Sequence, residues 1–184
     1  MELLEQIDQN LFLFLNGIHS PFWDTIMYWI SYKFTWIPLY LAALIYFIYK
    51  QKQKAILTII LIIATIALAD QLSVHLFKNM FLRYRPCHNL EIQNLIHLVN
   101  NHCGGQYGFV SSHAANAFGF AIISALIIRK RKISYLLILW ATIVSYSRIY
   151  LGVHYPTDIL GGILLGTATA FLIYYLYKKI RFYL

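Results

Sequence analysis

Apolar residues in this chain come in long runs. The stretches near Phe34–Tyr49, Ala55–Phe77, His113–Ile128, Ile133–Ile149 and Pro156–Tyr177 are almost continuously hydrophobic. Each approaches the roughly 20 residues that an α-helix needs to cross the hydrocarbon core of a bilayer. Lipid offers the backbone no hydrogen-bond partner, so such runs are read as helices. The first segment differs. Over residues 3–16, Leu3, Leu4, Ile7, Leu11, Phe14 and Leu15 fall near one stripe, while Glu2, Glu5, Gln6, Asp8 and Gln9 lie off it. That spacing predicts an amphipathic helix lying in the membrane interface. Insertion is the alternative, because Leu11–Leu15 is wholly apolar. Gly17 ends this helix, and Ser20-Pro21 starts another, with Ser20 as N-cap and Pro21 in first position. The pattern predicts an all-α polytopic membrane bundle of about five transmembrane helices plus an N-terminal interfacial helix.

Composition agrees. Of 184 residues, 60% are hydrophobic and 12% charged, against about 25% charged in soluble domains. The length suits one membrane-embedded domain over 1–184, with an N-terminal region 1–33 and an extracytoplasmic loop 86–112. The opening MELLEQIDQN lacks the basic start and cleavage site of a secretory signal. Trp36, Tyr49, Tyr135, Trp140, Tyr150 and Tyr177 fall near the ends of the spans, as interfacial aromatics do.

The net charge is +8, and its placement matters more than its size. Lys50, Lys52, Lys54, Arg129, Lys130, Arg131, Lys132, Lys178, Lys179 and Arg181 are ten of the fifteen Lys/Arg. In the five-span topology they share one side, with no acid among them, and the positive-inside rule makes that side cytoplasmic. They are topology signals, and nucleic acid is not an expected partner. The opposite side receives Lys78, Arg83, Arg85, the loop 86–112, His113, Arg148, His154 and Asp158.

Hydrolysis of a phosphate ester needs fixed cations for its non-bridging oxygens, a nucleophile in line and an acid for the departing oxygen. Three elements offer these. Lys78 and Arg85 are seven residues apart, about two helical turns, and Pro86 breaks the helix after them. Ser111-Ser112-His113 opens an apolar span, where a serine either caps the helix or turns its hydroxyl and the neighbouring N–H groups to an anion. Arg148 ends one span and His154 precedes the next. Asp158, four residues on, can accept the Nδ1–H of His154, fix the tautomer and leave Nε2 as nucleophile. A structural His–Asp pair is the rival reading, but ionisable residues at membrane depth are functional by default.

Together, Lys78-x6-Arg85-Pro86, Ser111-x-His113 and Ser147-Arg148-x5-His154-x3-Asp158 resemble, in order and spacing, the signature of the type 2 phosphatidic acid phosphatase superfamily. That family includes lipid phosphate phosphatases, undecaprenyl diphosphate phosphatases, lipid A phosphatases and vanadium-dependent haloperoxidases. The first and third motifs match throughout. The second departs, with Val110-Ser111-Ser112-His113 in place of Pro-Ser-Gly-His. The resemblance implies that His154 forms a phosphohistidine, Asp158 orients it and His113 protonates the leaving oxygen. It further implies a phosphate cradle of Lys78, Arg85, Arg148 and Ser111, with Ser112 on the phosphate-facing turn. It implies no metal and no cofactor.

Other features have blander readings. Cys87 and Cys103 sit in the outer loop, where a disulfide would close about 15 residues and add roughly 3 kcal/mol in the chain-entropy model. Free thiols come next, then a zinc site with His88 and His102, which lacks paired-ligand spacing. Asp70 bridges helices or supports the cationic cradle. Gly162, Gly166 and Ala170 recur every four residues, a seam for close helix packing. His19, His75 and His97 have no evident partner. The expected function is hydrolysis of a membrane lipid phosphate at the outer face of a bacterial cytoplasmic membrane. Undecaprenyl diphosphate leads as substrate, and lipid A phosphate and phosphatidylglycerol phosphate are rivals. A vanadate-dependent peroxidase and a non-catalytic lipid-phosphate-binding protein are the readings from other classes.

Overall fold

The computed structural model describes residues 2–183, with side chains over 3–180, so Glu2 and Arg181 of the sequence reading lie outside the described side chains. The elements are α1 (Glu2–Asn16), α2 (Pro21–Ser31), α3 (Ile37–Gln51), α4 (Ala55–Gln71), a short turn α5 (Asn79–Phe81), α6 (Ser112–Ile128), α7 (Arg131–Tyr150) and α8 (Pro156–Tyr183). Leu72–Lys78 prolongs α4 in wider π-helical turns, a geometry that recurs at functional sites. Among the described residues the only extended pairing is an isolated bridge between Tyr84 and Tyr107. The chain is an all-α membrane bundle.

The five expected spans appear as α3, α4, α6, α7 and α8. Three stretches are long and apolar enough to cross a bilayer, Lys33–Phe81, Arg131–Tyr150 and Pro156–Ile180, and Ser112–Ile128 is a shorter apolar helix. The first stretch holds two helices. Lys52, at φ +49°, breaks the run so that α4 packs back against α3. Ser20 caps α2 by accepting from the Trp23 N–H, with Pro21 in first position as expected.

The seam on α8 decides where the site forms. A Cβ on Gly166 would lie 2.1 Å from the Ala115 carbonyl oxygen, and one on Gly162 would lie 2.5 Å from the Ser111 carbonyl oxygen. The α6 and α8 backbones therefore touch, which only small residues allow. The contact sets the two N-termini side by side, and the Ser111 N–H donates to the Asp158 carbonyl at 3.0 Å. On the other face of α6, Phe120 packs edge-on to Trp140 of α7, which also meets Trp36 at the entrance to α3. Such pairs contribute about 0.5–1.5 kcal/mol beyond area burial.

The N-terminal helix departs from expectation. Leu3, Leu4, Ile7, Leu11 and Phe14 do point away from the protein, as a lipid-facing stripe would. Its polar side is only partly solvated: Glu5, Gln6 and Asn10 are exposed. Asp8, Phe12 and Asn16, spaced by four, are buried against the bundle. Phe12 packs edge-on to Tyr155, and Asn16 Nδ2 donates to the carbonyls of Tyr150 and His97, each at 2.9 Å. A stripe analysis assigns polar residues to water, and these two instead serve as docking groups.

Candidate active site

Three helix ends meet at the site: the π-helical end of α4, the N-terminus of α6, and the turn from α7 into α8. Gly152 makes that last turn possible. It sits at φ +81°, and a Cβ there would come within 2.7 Å of the His97 carbonyl oxygen, so the position needs glycine on both counts.

His154 and Asp158 are both buried, with His154 Nδ1 3.2 Å from Asp158 Oδ2. Arg85 Nη1 lies 3.2 Å from Nε2 of the same ring. A guanidinium can only donate, so Nε2 carries the lone pair and Nδ1 the proton, which points at Asp158. Burial, then the charges of Arg85, Arg148 and Lys78, push the His154 pKa well below the ordinary histidine value. The ring is neutral, with its free nitrogen facing the cations.

Asp158 is held from several sides. Besides His154, the Tyr155 N–H donates to Oδ2 at 3.0 Å and Arg83 Nη1 donates to Oδ1 at 3.1 Å. Arg83 was not singled out by the motifs. It also pairs with Asp8 of α1 at 2.7 Å, donates to Thr157 Oγ1 at 2.6 Å and stacks over the Tyr155 ring. Burial opposes its charge, but Asp158 and Asp8 outweigh burial and raise its pKa above the ordinary value. Gly108 was also missed. A Cβ there would lie 2.8 Å from Asp158 Oδ2 and 3.5 Å from His154 Nδ1. Neither residue carries a local sequence signal, since each acts through partners far along the chain.

The remaining candidates gather around this pair. Lys78 Nζ donates to Ser112 Oγ at 2.8 Å. Ser73 Oγ donates to the Asp70 carbonyl at 2.8 Å, leaving Ser112 to donate to Ser73 across 2.7 Å. Ser112 therefore anchors the ammonium, whereas the motif reading set it on the phosphate-facing turn. Arg148 donates through Nη1 to Ser31 of α2. His113 lies within electrostatic reach of Arg148, His154, Arg85 and Lys78. Ser111 occupies the N-cap position of α6 without capping it. Among the described residues, its buried hydroxyl and the buried Nε groups of Arg85 and Arg148 have no partner. Asp70 bridges helices by accepting from Asn116 Nδ2 at 2.9 Å. The loop 86–112 is tied by a Cys87–Cys103 disulfide, with Cα atoms 5.9 Å apart.

The charge balance is one-sided. Lys78, Arg85 and Arg148 face a single buried carboxylate that Arg83 already engages. Buried charges require partners, and unpaired donors beside two helix N-termini suit a multivalent oxyanion. Below this cluster an apolar cavity of about 580 Å³ runs between the helices, walled by Tyr40, Phe47, Ile62 and Phe120, with Ser112 and His113 on its lining.

Residues 55–182 match the PAP2 superfamily. The chain belongs to that superfamily. It is thus a PAP2 phosphatase, a phosphoric ester hydrolase. It is 40% identical to a lipid A 4'-phosphatase from Bacteroides thetaiotaomicron over 98% of this chain and 81% of that protein. It is 36% identical to one from Porphyromonas gingivalis over 98% and 78%. An undecaprenyl-diphosphatase, BcrC of Bacillus subtilis, is 26% identical over 91% and 83%. In fold, this PAP2 chain resembles the crystal structure of Aquifex aeolicus LpxE, with a TM-score of 0.70 over 90% of this chain and 93% of that one. It also resembles a transmembrane PAP2 type phosphatidylglycerolphosphate phosphatase from Bacillus subtilis, with a TM-score of 0.72 over 98% and 89%.

Proposed function

We propose that this PAP2 protein removes the 4′-phosphate of lipid A, and that it does so on the outer face of the cytoplasmic membrane. The observation that carries the substrate is the similarity to two lipid A 4'-phosphatases along nearly the whole chain, at 40% and 36% identity. Undecaprenyl diphosphate, the leading expectation from an envelope with an outer-facing diphosphate to recycle, drops to second because BcrC, an undecaprenyl-diphosphatase similar over most of the chain, is at 26%. The geometry suits a lipid phosphate of either kind. Charged donors cluster at one end of the helices, and the apolar cavity beside His113 gives an acyl chain somewhere to lie.

In the proposed reaction, Lys78, Arg85, Arg148 and the Ser111 hydroxyl hold the phosphoryl oxygens. Nε2 of His154 attacks phosphorus as the ester P–O bond breaks, and His113 gives its proton to the departing sugar oxygen. Asp158 stabilises the positive charge on the phosphorylated ring through Nδ1–H. His113 then takes a proton from water, which attacks the phosphohistidine and releases inorganic phosphate. Splitting the displacement into two steps lowers each barrier.

The test is phosphate release in detergent with EDTA present, comparing lipid A, undecaprenyl diphosphate and phosphatidylglycerol phosphate, for wild type and His154→Ala. Release fastest from lipid A, and lost in the variant, is the expected result. A faster rate on undecaprenyl diphosphate would restore the second reading. Phosphate release from none of them would favour a lipid-binding role.

A further inference from the structure

Outside the cluster around His154, three distant segments bring two imidazoles and a carboxylate together. His19 lies in the turn between α1 and α2, Asp24 in the first turns of α2, and His97 in the outer loop. His97 Nε2 is 3.0 Å from Asp24 Oδ1. The His19 ring stacks on His97, centroid to centroid 3.6 Å and 1° from parallel. One donor atom from each residue falls within 4.8 Å of the others. A tetrahedral ion with bonds of about 2.0–2.1 Å needs its donors roughly 3.3 Å apart. His19 is exposed, so closing the donors from 4.8 Å to that spacing would fall to rotation of its side chain.

The surroundings fix the other two donors. The Tyr150 hydroxyl donates to Asp24 Oδ1 at 2.7 Å and accepts from the Ser20 N–H at 3.1 Å. That leaves Asp24 Oδ2 for a ligand. Asn16, itself 1% exposed, pins His97 from both sides: its Oδ1 accepts the His97 N–H at 2.7 Å and its Nδ2 donates to the His97 carbonyl at 2.9 Å. These bonds hold the Asp24 carboxylate and the His97 backbone in place, and outer partners that position ligands recur at metal centres.

We propose that His19, Asp24 and His97 bind a divalent transition-metal ion, with water completing the coordination. Two imidazoles and one carboxylate suit zinc among such ions. The ion joins the outer loop to the α1–α2 turn and, through Tyr150, to the end of α7. It takes no part in the phosphoryl chemistry, so activity persists in EDTA while stability changes.

The experiment is zinc titration of the metal-stripped full chain in detergent, carrying a tag without histidines, read by calorimetry and by thermal unfolding. The expected result is one zinc per chain and a raised unfolding temperature. His19→Ala and Asp24→Asn should each weaken binding at least about tenfold, and the double variant His88→Ala/His102→Ala should not. His19→Ala decides the matter even where Asp24→Asn loosens the fold, because the His19 ring is exposed. Absence of zinc binding would overturn the proposal. So would wild-type affinity in His19→Ala, or binding lost only with His88 and His102.

Discussion

Arg83 and His154 grip opposite oxygens of the Asp158 carboxylate, Arg83 on Oδ1 at 3.1 Å and His154 on Oδ2 at 3.2 Å. The carboxylate that orients the proposed nucleophile is thus itself oriented by an arginine outside the recognised signature. Arg83 is fixed in turn by Asp8 at 2.7 Å. Arg83→Ala leaves Asp158 buried with one partner fewer. It should lower kcat by about tenfold to a hundredfold, or about 1.4–2.7 kcal/mol in the barrier. Asp8→Asn, which keeps shape and removes charge, should cost less but in the same direction. Steady-state kinetics on the lipid substrate checks this. Unchanged kcat in Arg83→Ala would show that Asp158 needs no outer clamp.

Burial, and then the charges of Arg85, Arg148 and Lys78, hold the His154 pKa well below the ordinary histidine value. Two consequences follow for pH. Nε2 keeps its lone pair as pH falls through about 6.5, so the acid limb of kcat/KM that belongs to His154 should lie below that value. Stability behaves in the opposite sense. The unfolded chain takes up a proton near pH 6.5 and the folded chain does not, so this contribution is complete above about 6.5 and is lost as pH falls from there towards the folded value. Thermal unfolding between pH 7.5 and pH 5 should show the loss, and His154→Asn should reduce it. An identical acid slope in the variant would assign the effect to other groups.

Ser112 replaces the glycine of the common motif, and here its hydroxyl receives the Lys78 ammonium and meets Ser73. Ser112→Gly should release Lys78 and weaken phosphate binding several-fold, seen mainly in KM. Lys78→Met should cost far more. Because Ser73 acts only through Ser112 in this chain of bonds, Ser73→Ala and Ser112→Ala should be strongly non-additive. Additive losses in the double variant would show that the two serines work independently.

Gly108→Ala tests the tightest approach at the site. The new methyl would sit 2.8 Å from Asp158 Oδ2 and 3.2 Å from Arg85 Cγ. Three donors hold that carboxylate, so it cannot move aside without breaking at least one bond. Activity should fall at least about a hundredfold, as misplacement by an ångström can cause, while the helical circular dichroism stays intact. A fully active variant would mean that the loop carrying Gly108 gives way easily.

These positions also show where sequence reading stops. The spans were legible because lipid forces long apolar runs to be helical, and His154 with Asp158 was legible because a four-residue spacing at a helix start is a local relationship. A Cys87–Cys103 disulfide was the first of three readings, ahead of free thiols and zinc, and the two cysteines are bonded. Arg83 with Asp8, Gly108 with Asp158, and Asn16 with His97 join residues tens of positions apart, and no periodicity links them. Asp8 was read only as lying off the apolar stripe of an amphipathic helix, and Asn16 was not read at all. In a membrane protein the apolar stripe faces lipid, and the polar side is then free to face the bundle.

The orientation of the bundle rests on charge. The turns at Lys50–Lys54 and Arg129–Lys132 and the end of α8 lie at the far end of the helices from Lys78, Ser111 and His154, as the order of the elements requires. Basic clusters of this kind are retained on the cytoplasmic side, which would put His154 outside. In a background with Cys87 and Cys103 replaced by serine, a cysteine at Lys130 should resist a membrane-impermeant thiol reagent in intact cells and react after permeabilisation. A cysteine at Leu90, exposed on the loop 86–112, should label at once. The two sites must respond in opposite ways, so labelling of Lys130→Cys before permeabilisation, with Leu90→Cys protected, would reverse the topology and move the proposed reaction to the cytoplasmic face.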